Sequence, residues 1–392
     1  MSILKNNKIR TIGLFNDSYP PIMDGVAMVT KNTAHWLYQM NQPVCVVTPK
    51  TPNYTITDPY PVYRYFSLPF IFRRPYRFGL SEFDFSFQDT INRIPFGLVH
   101  AHCPFTSGLL ALRIAKKQKI PFVATFHSKY RDDFERTFKN KNVSNFMVKE
   151  LIKFYEKADE VWIPQAAVEE TIREYGFKGK VVVVENGNDF ADTESKELLK
   201  AKSREYLNVE RNKLILLFVG QHIWEKNIKM IVEALSLIKI VDFKMFFVGT
   251  GYASDNLKQM IIDAGLSNKV EFIGVVLDRS LIKKYYAAAD LFVFPSIYDN
   301  APLVVREAAA LQTPSILIKD STASEIIRND YNGFLVDNSA EALAVKIDEI
   351  AKNPQIGKSV GINASNTIAR SWEDITAEIY NRYNHLMDTY SR

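Results

Sequence analysis

Short apolar runs alternate with helical patterns along most of the chain, in two series. The first reads TIGLFN (11–16), VCVVTP (44–49), LVHAHCP (98–104), PFVATFHS (121–128), EVWIPQ (160–165) and VVVVENG (181–187). Helical candidates such as GLLALRIAKKQ (108–118) and NFMVKELIKFYEKA (145–158) lie between them. The second series reads LILLFVG (214–220), KMFFVG (244–249), VEFIGV (270–275), LFVFPS (291–296), PSILIK (314–319) and GFLVD (333–337), again interleaved with helices such as IKMIVEALSLIK (228–239). Runs apolar on both faces suit parallel strands buried between helix layers. Alternation with helices predicts βαβ units joined by right-handed crossovers.

Each half therefore reads as an open, doubly wound α/β sheet. The seam is the charged stretch DFADTESKELLKAKSREYLNVERNK (189–213). The expected organisation is an N-terminal domain over 1–190, a C-terminal domain over 191–370, and a tail over 371–392 that closes as a helix or helix pair against the N-terminal domain. Two Rossmann-like domains facing a cleft would bind ligands beyond the carboxyl ends of their strands.

A chain of 392 residues fits two domains at about 100–200 residues each. With 47% of its residues hydrophobic, it can fill two cores without a disulfide framework. Cys45 and Cys103 fit no metal spacing and read as small core residues of a reducing compartment. The start, MSILKNNKIRTIGLF, lacks a leader pattern, and no run is long enough to span a membrane. The expected location is cytoplasmic, with the inner face of the plasma membrane as an alternative. A net charge of +5 permits attraction to anionic lipid or to a phosphorylated ligand. No basic stripe carries a nucleic-acid reading motif.

The chemistry gathers at strand ends. In YDNAPLVVREAAALQTP (298–314), Asp299 follows a strand, Pro302 suits a first helical turn, and Glu307 falls in the second turn. A helix start offers unpaired N–H groups and partial positive charge to an anion such as a diphosphate. Asp299 and Glu307 could then accept hydrogen bonds from flanking hydroxyls. The same pattern also fits a helix cap and an exposed acid. Gly25 reads as a turn residue needing positive φ. His100 and His102 flank Ala101 and point the same way, which suits one core and one cleft-lining histidine. The FDF at 83–85, with the single acid Asp84, lies in an aromatic stretch that reads as loop, with no metal-binding context.

The 298–314 segment resembles the acid-x7-acid signature of retaining glycosyltransferases of family four, which have the two-domain GT-B fold. Other motifs match in order over nearly the whole chain: PPIMDGVAMVTKNTAHWL (20–37), LVHAHCPF (98–105), VATFHSKY (123–130), VVVVENGND (181–189), LLFVGQHIWEKN (216–227), FFVGTGYASDNL (246–257), SEIIRNDYNGFLV (324–336) and the tail at Trp372. The resemblance implies transfer of a hexosyl group from a nucleoside-diphosphate sugar, itself a substrate, with no cofactor and no metal. It assigns catalytic roles to Lys226, Asp299 and His127. It places Gly25, Gln221, Lys226, Asp299, Asn300, Ala301, Leu303, Val304 and Glu307 around the donor, with Glu325 near the ribose or base. The loop at Gly249-Thr250-Gly251 would lie near the nucleobase.

Two positions depart from the family pattern. Asp299 is one methylene shorter than the usual Glu. Gln221 stands where the family carries the Arg of a phosphate-clamping pair, and glutamine supplies no charge. Either another cation compensates, such as His222 or an arginine brought in by closure, or the enzyme is slow. The acceptor side is expected at His102, Lys129, Arg73 and Arg74. The basic, aromatic segments FIFRRPYRFG (70–79) and FKNKNVSNFMVKELIKFYEK (138–157) suit anionic lipid, so the acceptor would be a membrane lipid or lipid-linked saccharide. They fit a solvated basic face equally well. Polysaccharide assembly fits too, as does a non-catalytic nucleotide-sugar-binding protein of the same fold.

Overall fold

The structure is a computed structural model that describes residues 10–55, 57–71, 75–190, 194–210 and 213–390. The chain divides into two compact units. One comprises Met1–Asn186 with Trp372–Arg392, the other Gly187–Ser371. Arg73 and Arg74 lie outside the described residues.

In the first unit, seven strands form a parallel sheet: β1 (Thr11–Phe15), β2 (Val44–Pro49), β3 (Val62–Tyr65), β6 (Phe96–Ala101), β7 (Phe122–Thr125), β8 (Glu160–Ile163) and β9 (Val181–Val183). A separate antiparallel hairpin holds β4 (Ser67–Pro69) and β5 (Arg77–Gly79). The strand order is β3-β2-β1-β6-β7-β8-β9. Every residue of β2, β6 and β7 is buried, as expected for strands covered on both faces. Leu110 and Ile114 of the 106–118 helix and Leu151 and Ile152 of the 141–155 helix belong to the core under this sheet. The tail is one helix, Trp372–Thr389, which packs on the Gly25–Gln39 helix and buries Trp372, Ile375, Ile379 and Tyr383.

In the second unit, six strands form a parallel sheet: β10 (Leu214–Val219), β11 (Phe243–Val248), β12 (Val270–Gly274), β13 (Leu291–Phe294), β14 (Ser315–Ile318) and β15 (Phe334–Val336). Their order is β12-β11-β10-β13-β14-β15, the doubly wound order of nucleotide-binding sheets. The order reverses between β10 and β13. Connections on either side of that point leave in opposite directions, which opens a crevice at the carboxyl ends. The loops after β10 and β11 touch closely. A Cβ on Gly249 (φ +127°) would lie 2.0 Å from the Gly220 carbonyl oxygen, so only glycine fits there.

In its secondary structure the chain departs from the sequence reading in these places. β3 and the hairpin fall where no strand is expected. Asp84 of the FDF stretch caps a helix, Phe85–Arg93, by accepting from the Phe87 N–H at 3.1 Å, so this is not a loop. The seam contains a helix, Lys196–Tyr206, capped by Ser195. Pro302 stands just before its helix rather than in the first turn.

Candidate functional site

Lys226 and Asp299 leave the sheet of the second unit on either side of the reversal point, after β10 and β13. The Lys226 Nζ lies 2.8 and 2.7 Å from the two carboxylate oxygens of Asp299. The Ser296 hydroxyl donates to the same carboxylate at 2.6 Å. The ammonium also sits 5.1 Å from the Phe294 ring centroid. These contacts hold Lys226 in one place. The Leu303–Ala310 helix starts beside Asp299, and no side chain caps it. The Val305 N–H donates to the Pro302 carbonyl at 3.3 Å, while the N–H groups of Leu303 and Val304 are left for water or an anionic ligand. Asn300 is buried, while Ala301, Leu303 and Val304 are half-buried around that start. Asp299 is not the helix cap.

Glu307 is only 7% exposed, so it is not an acid on a polar surface. One carboxylate oxygen accepts from the Tyr286 hydroxyl at 2.8 Å, and the other from the Arg279 guanidinium at 2.6 Å. Arg279 also donates twice to Asp189, at 2.9 and 2.5 Å, and stacks on Phe190 with 4.5 Å to the ring centroid. Burial alone would lower the Arg279 pKa, but Glu307 and Asp189 outweigh it and hold it above its ordinary value. Asp189 ends the VVVVENGND motif, but nothing in the local pattern marks Arg279 or links it to Asp189, 90 residues away.

In the first unit, β1 and β6 flank the corresponding reversal. Asp17, in the loop after β1, accepts from the Ser107 N–H and hydroxyl, both at 2.8 Å, and from the Thr106 hydroxyl. It thus caps the 106–118 helix from another segment. Asp24 caps the Gly25–Gln39 helix by accepting from the Ala27 N–H at 2.7 Å. Gly25 is the first residue of that helix and has no positive φ, so a turn does not require glycine there. A Cβ on it would meet nothing within 4 Å. His102 and His127 meet at 3.3 Å, Nδ1 to Nε2. Lys129 is half-buried before the Tyr130–Phe138 helix. Among the described residues, no group of three His, Cys, Asp or Glu side chains is placed to hold a metal ion.

Two family models match the chain: Glycosyltransferase Family 4 over residues 23–192 and Glycosyl transferases group 1 over residues 200–367. The chain is a family-four glycosyltransferase. The transferase is 24% identical to the alpha-monoglucosyldiacylglycerol synthase of Streptococcus pneumoniae, over 95% of this chain and 84% of that protein. It is 23% identical to the enzyme of the same name from Acholeplasma laidlawii, over 90% and 91%. Among solved structures, sucrose-phosphate synthase from Thermosynechococcus elongatus superposes with a TM-score of 0.80 at 20% identity, covering 97% of this chain and 99% of that one. Anabaena HepE in complex with UDP and glucose gives 0.76 at 18% identity, over 96% and 100%. These likenesses establish the GT-B fold.

One expectation for the transferase fails. His222 cannot replace the charge missing at Gln221. Its ring is buried among Phe218, Phe247 and Phe272, with Nδ1 3.2 Å from the Ser254 hydroxyl. Burial, then Lys258, pushes its pKa down to about 4, so it is neutral at physiological pH. Gln221 is exposed, and Lys226 is the ammonium held at the reversal point.

The buried imidazole sets a pH dependence. His222 titrates near its ordinary 6.5 when unfolded and near about 4 when folded. The unfolded chain therefore binds more protons between these values, so its contribution to stability is complete above 6.5 and falls as the pH drops towards 4. His222→Phe, which cannot titrate, is expected to lose less stability than wild type between pH 7 and pH 5 in urea denaturation. Equal losses would show that His222 is not held neutral.

Proposed function

We propose that this transferase moves a sugar from a nucleoside diphosphate, UDP in the first instance, to a hydroxyl of a membrane lipid or lipid-linked saccharide, with retention at the anomeric carbon. The observation that carries the donor reading is the arrangement at the reversal of the second sheet. A fixed ammonium, Lys226, stands there with an uncapped helix start. Both suit a diphosphate. Two relatives are alpha-monoglucosyldiacylglycerol synthases, and one structural neighbour was solved with UDP and glucose, which supports the same reading.

The chemistry follows from charge. As the bond to the anomeric carbon lengthens, the sugar becomes oxocarbenium-like and negative charge grows on the departing phosphate. Lys226 and the N–H groups of Leu303 and Val304 stabilise that charge without reorganising. Lys226 exchanges Asp299 for phosphate, and the released carboxylate accepts from a sugar hydroxyl. Glu307, held by Arg279 and Tyr286, retains lone pairs for ribose hydroxyls. Gly25 leaves room for close approach of a ligand to the backbone, and His127 contacts the transferred sugar. The sugar nucleotide is a substrate, and the reaction needs no cofactor or metal for leaving-group charge.

The acceptor side rests on exposed apolar groups of the first unit. Ile71, Phe83 and Phe85 are 76%, 70% and 82% exposed around the hairpin. The Lys141–Tyr155 helix turns Val148, Leu151 and Ile152 inward and leaves Val143 and Phe146 outward among Lys141, Lys149 and Lys153. Aromatic side chains beside lysines suit the interface of an anionic bilayer. No helix among the described residues is long and apolar enough to cross a membrane.

If Lys226 clamps the diphosphate, Lys226→Ala lowers kcat/KM for the nucleotide sugar by roughly tenfold to a thousandfold, or about 1.4–4 kcal/mol. Unchanged turnover in the folded variant would end that assignment.

The surface reading predicts that the protein co-sediments with phosphatidylglycerol vesicles and is released as salt rises through the screening range. Equal recovery in the supernatant with and without vesicles would point to a soluble acceptor.

A further inference from the structure

At the carboxyl end of the first sheet, three imidazoles lie in series. The His100 ring centroid is 4.2 Å from that of His102, and His102 stacks on His127 at 5.5 Å and 19°. His100 has both ring nitrogens engaged. Nδ1 meets the Tyr383 hydroxyl at 2.5 Å, and Nε2 meets the Thr125 hydroxyl at 2.7 Å. Tyr383 comes from the tail helix and stacks on Trp162, 5.4 Å away at 12°. His100 is therefore an anchored core side chain.

His102 differs. Its backbone N–H donates to the Phe15 carbonyl at 2.8 Å, which ties it to β1. Its Nδ1 is 3.3 Å from the Nε2 of His127. Its Nε2 is buried with no hydrogen-bond partner, in a residue only 2% exposed. Burial pushes all three rings well below their ordinary pKa, His127 to about 3. All three are neutral at physiological pH, so each carries one ring hydrogen.

One hydrogen lies between His102 and His127, and two arrangements are available. If His127 donates from Nε2, His102 must carry its hydrogen on its own Nε2, where a buried N–H would have no acceptor. If His102 donates from Nδ1, the buried Nε2 keeps only a lone pair, and His127 carries its hydrogen on Nδ1. Orphaned buried N–H groups are rarer than under-satisfied acceptors. The second arrangement is therefore favoured.

We infer that His102 is a positioning residue: its Nδ1–H fixes His127 as the Nδ1–H tautomer and holds the plane of that ring. The consequence for transfer rests on the proposed contact of His127 with the sugar. His127 then takes part as a neutral ring whose Nε2 is already occupied. It cannot deliver a proton from that nitrogen.

The test uses the whole protein with 15N-labelled histidine. Long-range proton–nitrogen spectra report which ring nitrogen carries the hydrogen, and a His127→Asn variant assigns the signals. Wild type is expected to show His127 as Nδ1–H. His102→Asn keeps an N–H near the Nδ1 position and should preserve that spectrum. His102→Leu removes the donor and should shift the His127 Nε2 resonance towards a mixture of tautomers. Transfer by His102→Leu should fall about tenfold, the equivalent of about 1.4 kcal/mol, with recovery in His102→Asn and UDP affinity equal in all three. An Nε2–H tautomer in wild type, or an unchanged His127 signal in His102→Leu, would overturn the inference. If His102→Leu does not fold, the wild-type spectrum still decides the tautomer. The expected spectra with unaltered transfer would leave the tautomer assignment standing and overturn the sugar contact of His127.

Discussion

The ion pair between Lys226 and Asp299 joins the two loops that leave the second sheet where its strand order reverses. Its side chains are 12% and 20% exposed, too sheltered to be treated as a surface pair. At an effective dielectric near 20, two unit charges about 4 Å apart attract by roughly 4 kcal/mol, much of it offset by lost hydration. The net stabilisation is small, but the geometric effect is large. Without Asp299 and Ser296, a flexible lysine would sample many rotamers beside an uncapped helix start. With them, its charge is held where we propose that the diphosphate sits. Glu in place of Asp299 would reach one methylene further, so the shorter acid suits a direct grip on Lys226.

A second network supports the same edge of the unit. Glu307 lies inside the helix that begins beside Asp299, and it is held from two sides by Tyr286 and Arg279. Arg279 is in turn gripped by Asp189, close to where the chain enters the unit. Asn188, next along, receives a second strand of chain through its bridge to Ser371 and its hydrogen bond to the Arg370 carbonyl at 2.7 Å. Thus the acid proposed to hold the ribose is fixed to both segments that border this unit. Such fixation favours an acceptor whose orientation does not change when ligand arrives.

Much of this was legible in the sequence, for a physical reason. Strands such as VCVVTP and LILLFV are covered on both faces, so they must be continuously apolar, and such runs stand out. Lys226, Asp299 and Glu307 were legible because each lies in a local motif at a strand or helix end. The hairpin was not, because Leu68 and Phe78 pair on an exposed face and lack the apolar continuity of a buried strand. Arg279 and Asp189 meet only through the fold, so no local spacing announces their pairing. His222 looked like a spare cation until Phe218, Phe247 and Phe272, from three different strands, were seen to enclose it. Gly25 looked like a turn glycine, yet its backbone is helical and its missing Cβ leaves open space.

The central claim is that the two acids divide the donor between them: Glu307 serves the nucleotide, and Asp299 serves Lys226 and the sugar. Titration calorimetry with UDP, beside turnover of the nucleotide sugar, tests this most directly in Glu307→Gln and Asp299→Asn. The account predicts that Glu307→Gln weakens UDP binding by about tenfold, as loss of a charged acceptor worth about 1.4 kcal/mol implies. It predicts that Asp299→Asn, whose amide oxygen still accepts from Lys226 and holds it in place, binds UDP about as well as wild type, yet transfers sugar at least about tenfold more slowly. Equal loss of UDP affinity in both variants, or loss in neither, would contradict it.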